Sequence, residues 1–153
     1  MSVADLRRVH PGALCFVSGL DDGTDLSGFP LLGTANRPIP NLVYTTHLYP
    51  REANPWQAIQ ALARAHPLLV TEWGGQALDT SWGERAAQLM RGSGIGWTAA
   101  HWNAEPALTT IVNDRLHPTT FGAVVRRALA IEGEIMAFTQ PAESNILPTL
   151  SIL

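Results

Sequence analysis

The sequence predicts an α/β domain of four parallel strands, each with a helix, over its 153 residues. Two observations carry that prediction. Short apolar, β-branched runs recur along the chain, and amphipathic stretches at helical spacing follow the later ones. Alternating strand and helix calls for a parallel sheet with crossover helices. Four such units make either an open α/β layer or half of a (βα)8 barrel, because a complete barrel takes ~250 residues.

The elements follow in order. The opening "VADLRRVHPG" reads as the end of a helix that enters the first strand, "ALCFVS" (13–18). The segment "GLDDGTDLSGFPLLGTANRPIPN" is rich in Gly, Pro and Asp. It reads as a loop with at most a short helix, since Pro30 and Pro38 interrupt it. "LVYTTH" (42–47) is the second strand. In "NPWQAIQALARAH", Asn54 is placed to cap a helix, Pro55 sits in its first turn, and Trp56, Ile59 and Leu62 share one face. "LLVTE" (68–72) is the third strand. "SWGERAAQLMRG" opens with Ser81 and Glu84 at capping-box spacing and carries Trp82, Ala86, Leu89 and Met90 as its apolar stripe. "GWTAAHW" (96–102) is the fourth strand, and "TTFGAVVRRALAI" a last helix with Phe121, Val124, Val125, Ala128 and Leu129 at helical spacing. The tail, 139–153, is interrupted by Pro and reads as irregular. No linker divides the chain, so 1–153 is predicted to be a single domain.

Composition narrows the function classes. Apolar residues make up 46% and charged residues 15%, a globular and lightly charged chain. A formal charge of −3 gives no footing for nucleic acid, and the ten basic residues, all Arg, are scattered. One cysteine, Cys15, excludes an internal disulfide and a cysteine-based zinc site, and its run "ALCFV" makes it a small core residue. No His, Asp and Glu set has metal spacing, and "LDDGTD" lacks the full calcium-loop pattern. "GSGIGW" precedes a strand, whereas phosphate loops lead from strand to helix, so no cofactor is expected. No window reaches the ~18 apolar residues of a membrane span. The N-terminus lacks a signal-peptide pattern, so the chain as written is expected to stay in the cytoplasm.

The strand ends hold the chemistry, where parallel α/β sheets and barrels collect their functional groups. The second strand ends "HLYP", and His47 and Tyr49, one residue apart, point to the same side. The third ends in Glu72, followed by Trp73 and two glycines. The fourth ends "HWNAEP", with His101, Trp102, Asn103 and Glu105. A carboxylate, imidazole, phenol and indole at one face suit a sugar, because indoles stack on pyranose faces and carboxylates act at anomeric carbons.

"NLVYTTHLYP", "PLLVTEWGG" and "GWTAAHWN" resemble the sixth, seventh and eighth strands of glycoside hydrolase family 5, the cellulase-type (βα)8 barrels. "DLSG", followed by the Pro-rich stretch and "PNLVY", is similar to the connection after that family's fifth strand, and "HPTTFGAVV" to its last helix. The resemblance covers about residues 5–131 and implies a (βα)4 half of a TIM barrel, with parallel strands and outer helices. It also implies that Glu72 is the catalytic nucleophile, that Tyr49 hydrogen-bonds it, and that His47 lines the sugar site. Trp102 corresponds to the aromatic platform. From the residues themselves, His101 either lines the site or is a core residue, and Trp73 is expected to border the substrate and to help shape the turn that presents Glu72.

The family's first four strands have no counterpart here. With them go an arginine and the Asn-Glu pair whose glutamate is the general acid/base. Two copies pairing edge to edge about a twofold axis would close eight strands. The partner's last strand, ending "WNAEP", would then stand where the family carries its acid/base, bringing Glu105 of one copy toward Glu72 of the other; the alternative makes Glu105 a solvated loop residue before Pro106. The expected function is retaining hydrolysis of β-glycosidic bonds in small or activated substrates, with no cofactor. The other reading is a catalytically inactive half-barrel that dimerises and at most binds carbohydrate. Members of the family are usually secreted.

Overall fold

The computed structural model describes residues 2–33, 36–50, 56–74, 80–102 and 117–139, and for 132–139 the backbone alone. The four apolar runs form β1 (Cys15–Ser18), β2 (Leu42–Leu48), β3 (Leu68–Trp73) and β4 (Gly96–Ala99). They lie in chain order in one sheet and all pairings are parallel. Helix α1 (Val3–Val9) precedes β1, and a four-residue turn, α2 (Leu20–Gly23), follows it. Helices α3 (Trp56–Ala65) and α4 (Thr80–Gly92) link β2 to β3 and β3 to β4, and α5 (Thr120–Thr139) comes last.

Local chemistry explains where the helices start and how they meet. The Ser2 hydroxyl accepts from the Asp5 amide at 3.1 Å, and the Asp5 carboxylate accepts from the Ser2 amide at 3.0 Å. That reciprocal box caps α1. The box expected at Ser81 and Glu84 does not form, because α4 already begins at Thr80. Glu84 instead pairs with Arg127 at 2.6 Å, tying α4 to α5. Gly83, a weak helix former, lies where the same two helices touch. A Cβ there would stand 3.0 Å from the Phe121 ring, so any larger residue would force that ring to give by a few tenths of an ångström. Asn54, Pro55 and residues 140–153 lie outside the described residues. Helix α5 runs on through Thr139, past Ile131 and into the first residue of the expected tail.

The long β1–β2 connection is anchored rather than loose. Leu31 donates its amide to Tyr44 Oη at 2.9 Å, and Phe29 packs on the Tyr44 ring at 4.3 Å between centroids. Within α2, φ is positive at Asp21, Asp22 and Gly23 (49°, 51° and 79°). A left-handed conformation costs an L residue about 1–2 kcal/mol, so this turn persists only through the contacts around it.

The two faces of the sheet differ. Tyr44, Leu48, Val70 and Trp73 from the inner strands are buried against Ile59, Leu62, Ala86, Met90, Phe121 and Val124 from the helices. Strand alternation puts Phe16, Val43, Leu69 and Thr98 on the opposite face. No described helix covers that face, and Phe16 is 59% exposed. Among the described residues, no strand pairs with the outer edge of β1 or of β4. The fourth strand is shorter than its apolar run. It ends at Ala99, and Ala100 donates to the Trp73 carbonyl at 3.0 Å before the chain leaves the sheet.

Trp73 has no exposed surface and sits edge-on to both Trp97 and Phe121 at 5.2 Å between centroids. Replacing it by alanine is expected to lower the unfolding free energy by about 3–5 kcal/mol. Replacing Trp102, 70% exposed, should change it by no more than about 0.5 kcal/mol. Urea denaturation of the two variants checks both values.

Candidate active site

The direction of Glu72 is set by the register of β3. Val70 pairs with Thr46 and Glu72 with His47, so one step on β2 matches two on β3. Against β4 the same holds: Val70 pairs with Trp97 and Trp73 with Ala99, two steps matching three. Thr71 is therefore an extra residue, a bulge that breaks the alternation of the strand. Its carbonyl accepts a close hydrogen bond from the Thr98 hydroxyl. Leu68 and Val70 face the helices, and strict alternation would send Glu72 after them into the apolar layer. The extra residue hands the core position to Trp73 and turns Glu72 to the opposite face.

On that face Glu72 meets two groups from β2 and its end. Tyr49 donates its hydroxyl to Glu72 Oε2 at 2.8 Å. His47 Nδ1 stands 3.6 Å from the same oxygen, an ion pair when the imidazole is protonated. The side chains of Glu72 and His47 are 37% and 22% exposed, so a ligand at the strand ends can reach both. Burial, and then the hydrogen bond and negative charge of Glu72, push the Tyr49 phenol well above its ordinary pKa. The phenol thus stays a donor and fixes the orientation of the carboxylate.

The other expected site residues fall in three groups. Trp102 stands in solvent after β4 as an open aromatic surface. His101 is half-buried, and its Nδ1 is buried without a hydrogen-bond partner among the described residues. Trp73, expected to border the substrate, is corrected: the bulge turns its indole into the core, where no ligand reaches it. Asn103 and Glu105 lie outside the described residues. Sequence reasoning missed Thr71 and Thr98, whose bulge and hydrogen bond go with the turning of Glu72 out of the core. The repeated threonines at the strand ends were the available signal, since buried hydroxyls need partners. No three His, Cys, Asp or Glu side chains converge on a metal-sized site among the described residues.

No family model matches the chain, and no curated protein does. Solved structures do match. The β-glucanase SdGluc5_26A from Saccharophagus degradans superposes with a TM-score of 0.56 at 24% identity, over 78% of this chain and 41% of that one. An endocellulase from the archaeon Pyrococcus horikoshii gives 0.58 at 14% identity, over 82% and 46%. The catalytic domain of Thermobifida fusca endoglucanase Cel5A, in complex with cellotetraose, gives 0.59 at 16% identity, over 83% and 49%. The described layer is thus an α/β half of a TIM barrel, the fold it shares with these neighbours. The chain spans less than half the length of each of these neighbours.

The raised Tyr49 pKa gives a sign and a test. The neutral phenol is favoured in the folded protein. Its contribution is complete below the unfolded pKa of about 10 and is lost as pH rises through the higher folded value. Ultraviolet titration, wild type minus Tyr49→Phe, should show Tyr49 ionising above that ordinary value. Glu72→Gln should bring the midpoint down. A midpoint at the ordinary value in the wild type would mean the Tyr49–Glu72 contact is absent.

Proposed function

We propose that this chain is the nucleophile-bearing half of a retaining β-glycosidase. The carrying observation is a partly exposed carboxylate, Glu72, turned out of the core at a strand end and held by the Tyr49 hydroxyl at 2.8 Å. In this reading a Glu72 oxygen attacks the anomeric carbon and forms a glycosyl ester. The glycosidic oxygen departs with the electron pair of the broken bond and takes a proton from an acid. Water, deprotonated by the conjugate base of that acid, then attacks the anomeric carbon and releases Glu72. The hydrogen bond from Tyr49 holds the attacking group in line, and Trp102 stacks on the sugar ring. The neighbour found with cellotetraose supports a β-linked glucan as the substrate class.

The reaction needs a second carboxyl about 5 Å from the first. Our reading assigns it to Glu105 of a second copy. A rotation of 180° about the barrel axis keeps all strands parallel and sets each β4 beside the partner's β1. This arrangement would pair both free edges and cover the face around Phe16.

Substrates with good leaving groups need little acid assistance, so a dinitrophenyl β-glucoside is the probe. The protein should release dinitrophenolate in a burst or in steady turnover, and Glu72→Ala should show neither. Tyr49→Phe should lower kcat/KM by about 10- to 100-fold, the worth of a hydrogen bond to a charged group. An inactive half-barrel would give no release from the wild type. For the shared site, Glu72→Gln and Glu105→Gln are each expected to be nearly inactive on a substrate with a poor leaving group. Refolded as an equal mixture they should regain about a quarter of wild-type activity, because half the dimers are mixed and each has one intact site. No regain would remove Glu105 from the reading.

A further inference from the structure

We infer that a clasp between Thr46 and the left-handed turn α2 positions the His47 imidazole against Glu72. This rests on the reading of Glu72 as the reacting group, and it names residues outside that reading. The turn is held on every side. Leu20 and Asp25 exchange both backbone hydrogen bonds at 2.9 Å, closing its base. The Thr24 hydroxyl donates to the Asp21 carbonyl at 2.7 Å. From β2 the Thr46 hydroxyl, with no exposed surface, donates to the Gly23 carbonyl at 2.8 Å. Thr46 directly precedes His47, so one strand position holds the turn and the next receives it.

Beside the turn stands the imidazole of His47. A Cβ on Gly23 would lie 3.1 Å from both Cγ and Cδ2 of His47 and 3.0 Å from Ser18 Oγ. A methyl group at Gly23 would sit tightly against the Cδ2 edge of the ring, which would have to give by a few tenths of an ångström. The opposite edge carries Nδ1, 3.6 Å from Glu72 Oε2. Standing between the turn and the carboxylate, the ring keeps its Nδ1 toward Glu72. The left-handed backbone gives Gly23 its second constraint, since φ of +79° disfavours any L side chain. Thr46 and Gly23 are positioning residues: neither touches the sugar, and both act through His47.

The experiment follows the Cε1–Hε1 resonance of His47 by NMR in the full chain, assigned by its loss in His47→Gln. Thr46→Val keeps the shape of the side chain and removes the donor; Gly23→Ala fills the space against the ring. Both should move the His47 resonance and shrink its response to Glu72→Gln, while Thr46→Ser restores the wild-type position. On the dinitrophenyl glucoside, Thr46→Val should lower kcat by about tenfold with KM little changed. If Gly23→Ala does not fold, the near-isosteric Thr46→Val decides alone. A lower melting temperature with an unmoved His47 resonance would overturn the inference, leaving the clasp a purely structural tie. A moved resonance in a protein without glycosidase activity would uphold the clasp and sink only the catalytic reading.

Discussion

Strand β3 carries one more residue between Val70 and Trp73 than either neighbour has opposite it. Around that extra residue, Thr71, the two faces of the sheet exchange roles. Before it, the even positions Leu68 and Val70 pack against helices; after it, Trp73 does so and Glu72 faces away. A strand in strict alternation would have to bury an unpaired carboxylate in an apolar layer, a cost of several kcal/mol. The bulge removes that cost and gives the layer its largest aromatic side chain in exchange. Core and site thus depend on one register shift, held by the close bond from Thr98 to the Thr71 carbonyl.

The surroundings of Glu72 follow from the same register. Because Glu72 pairs with His47, the imidazole stands directly beside it, and Tyr49, two residues on, reaches the same oxygen. Below this trio, among the described residues, helices cover one side of the sheet only. Helices close the outer face around Trp73 and Phe121, whereas Phe16 and Thr98 look onto open space. The matching half of each cellulase or β-glucanase neighbour belongs to a chain more than twice as long as the stretch it shares. Anything set against that open face would stand across from Glu72.

Much of this was legible in the sequence. The four strands and their parallel order follow from β-branched runs separated by helical periodicity, and Ile59, Leu62, Ala86 and Met90 fall on the stripes that periodicity marks. What stayed hidden has specific causes. A bulge at Thr71 leaves no Gly or Pro signal, so nothing in "LLVTEW" says that Trp73, not Glu72, continues the core. The capping box at Ser2 and Asp5 was as readable as the one expected at Ser81, yet only the first forms, since α4 starts a residue earlier and Glu84 finds Arg127. The left-handed turn at Asp21–Gly23 depends on a hydroxyl from Thr46, more than twenty residues away, and no local pattern announces it. The departure of the chain at Ala99 is likewise tertiary, because "GWTAAHW" alone reads as a longer strand.

The most direct test of the central claim is covalent trapping. A dinitrophenyl β-glucoside carrying fluorine at the sugar's second carbon forms the glycosyl ester and releases it slowly, so peptide mass spectrometry can locate the bond. A single sugar adduct is expected on the peptide containing Glu72, absent from Glu72→Gln. An adduct on another residue, or an unmodified protein after prolonged incubation, would contradict the claim.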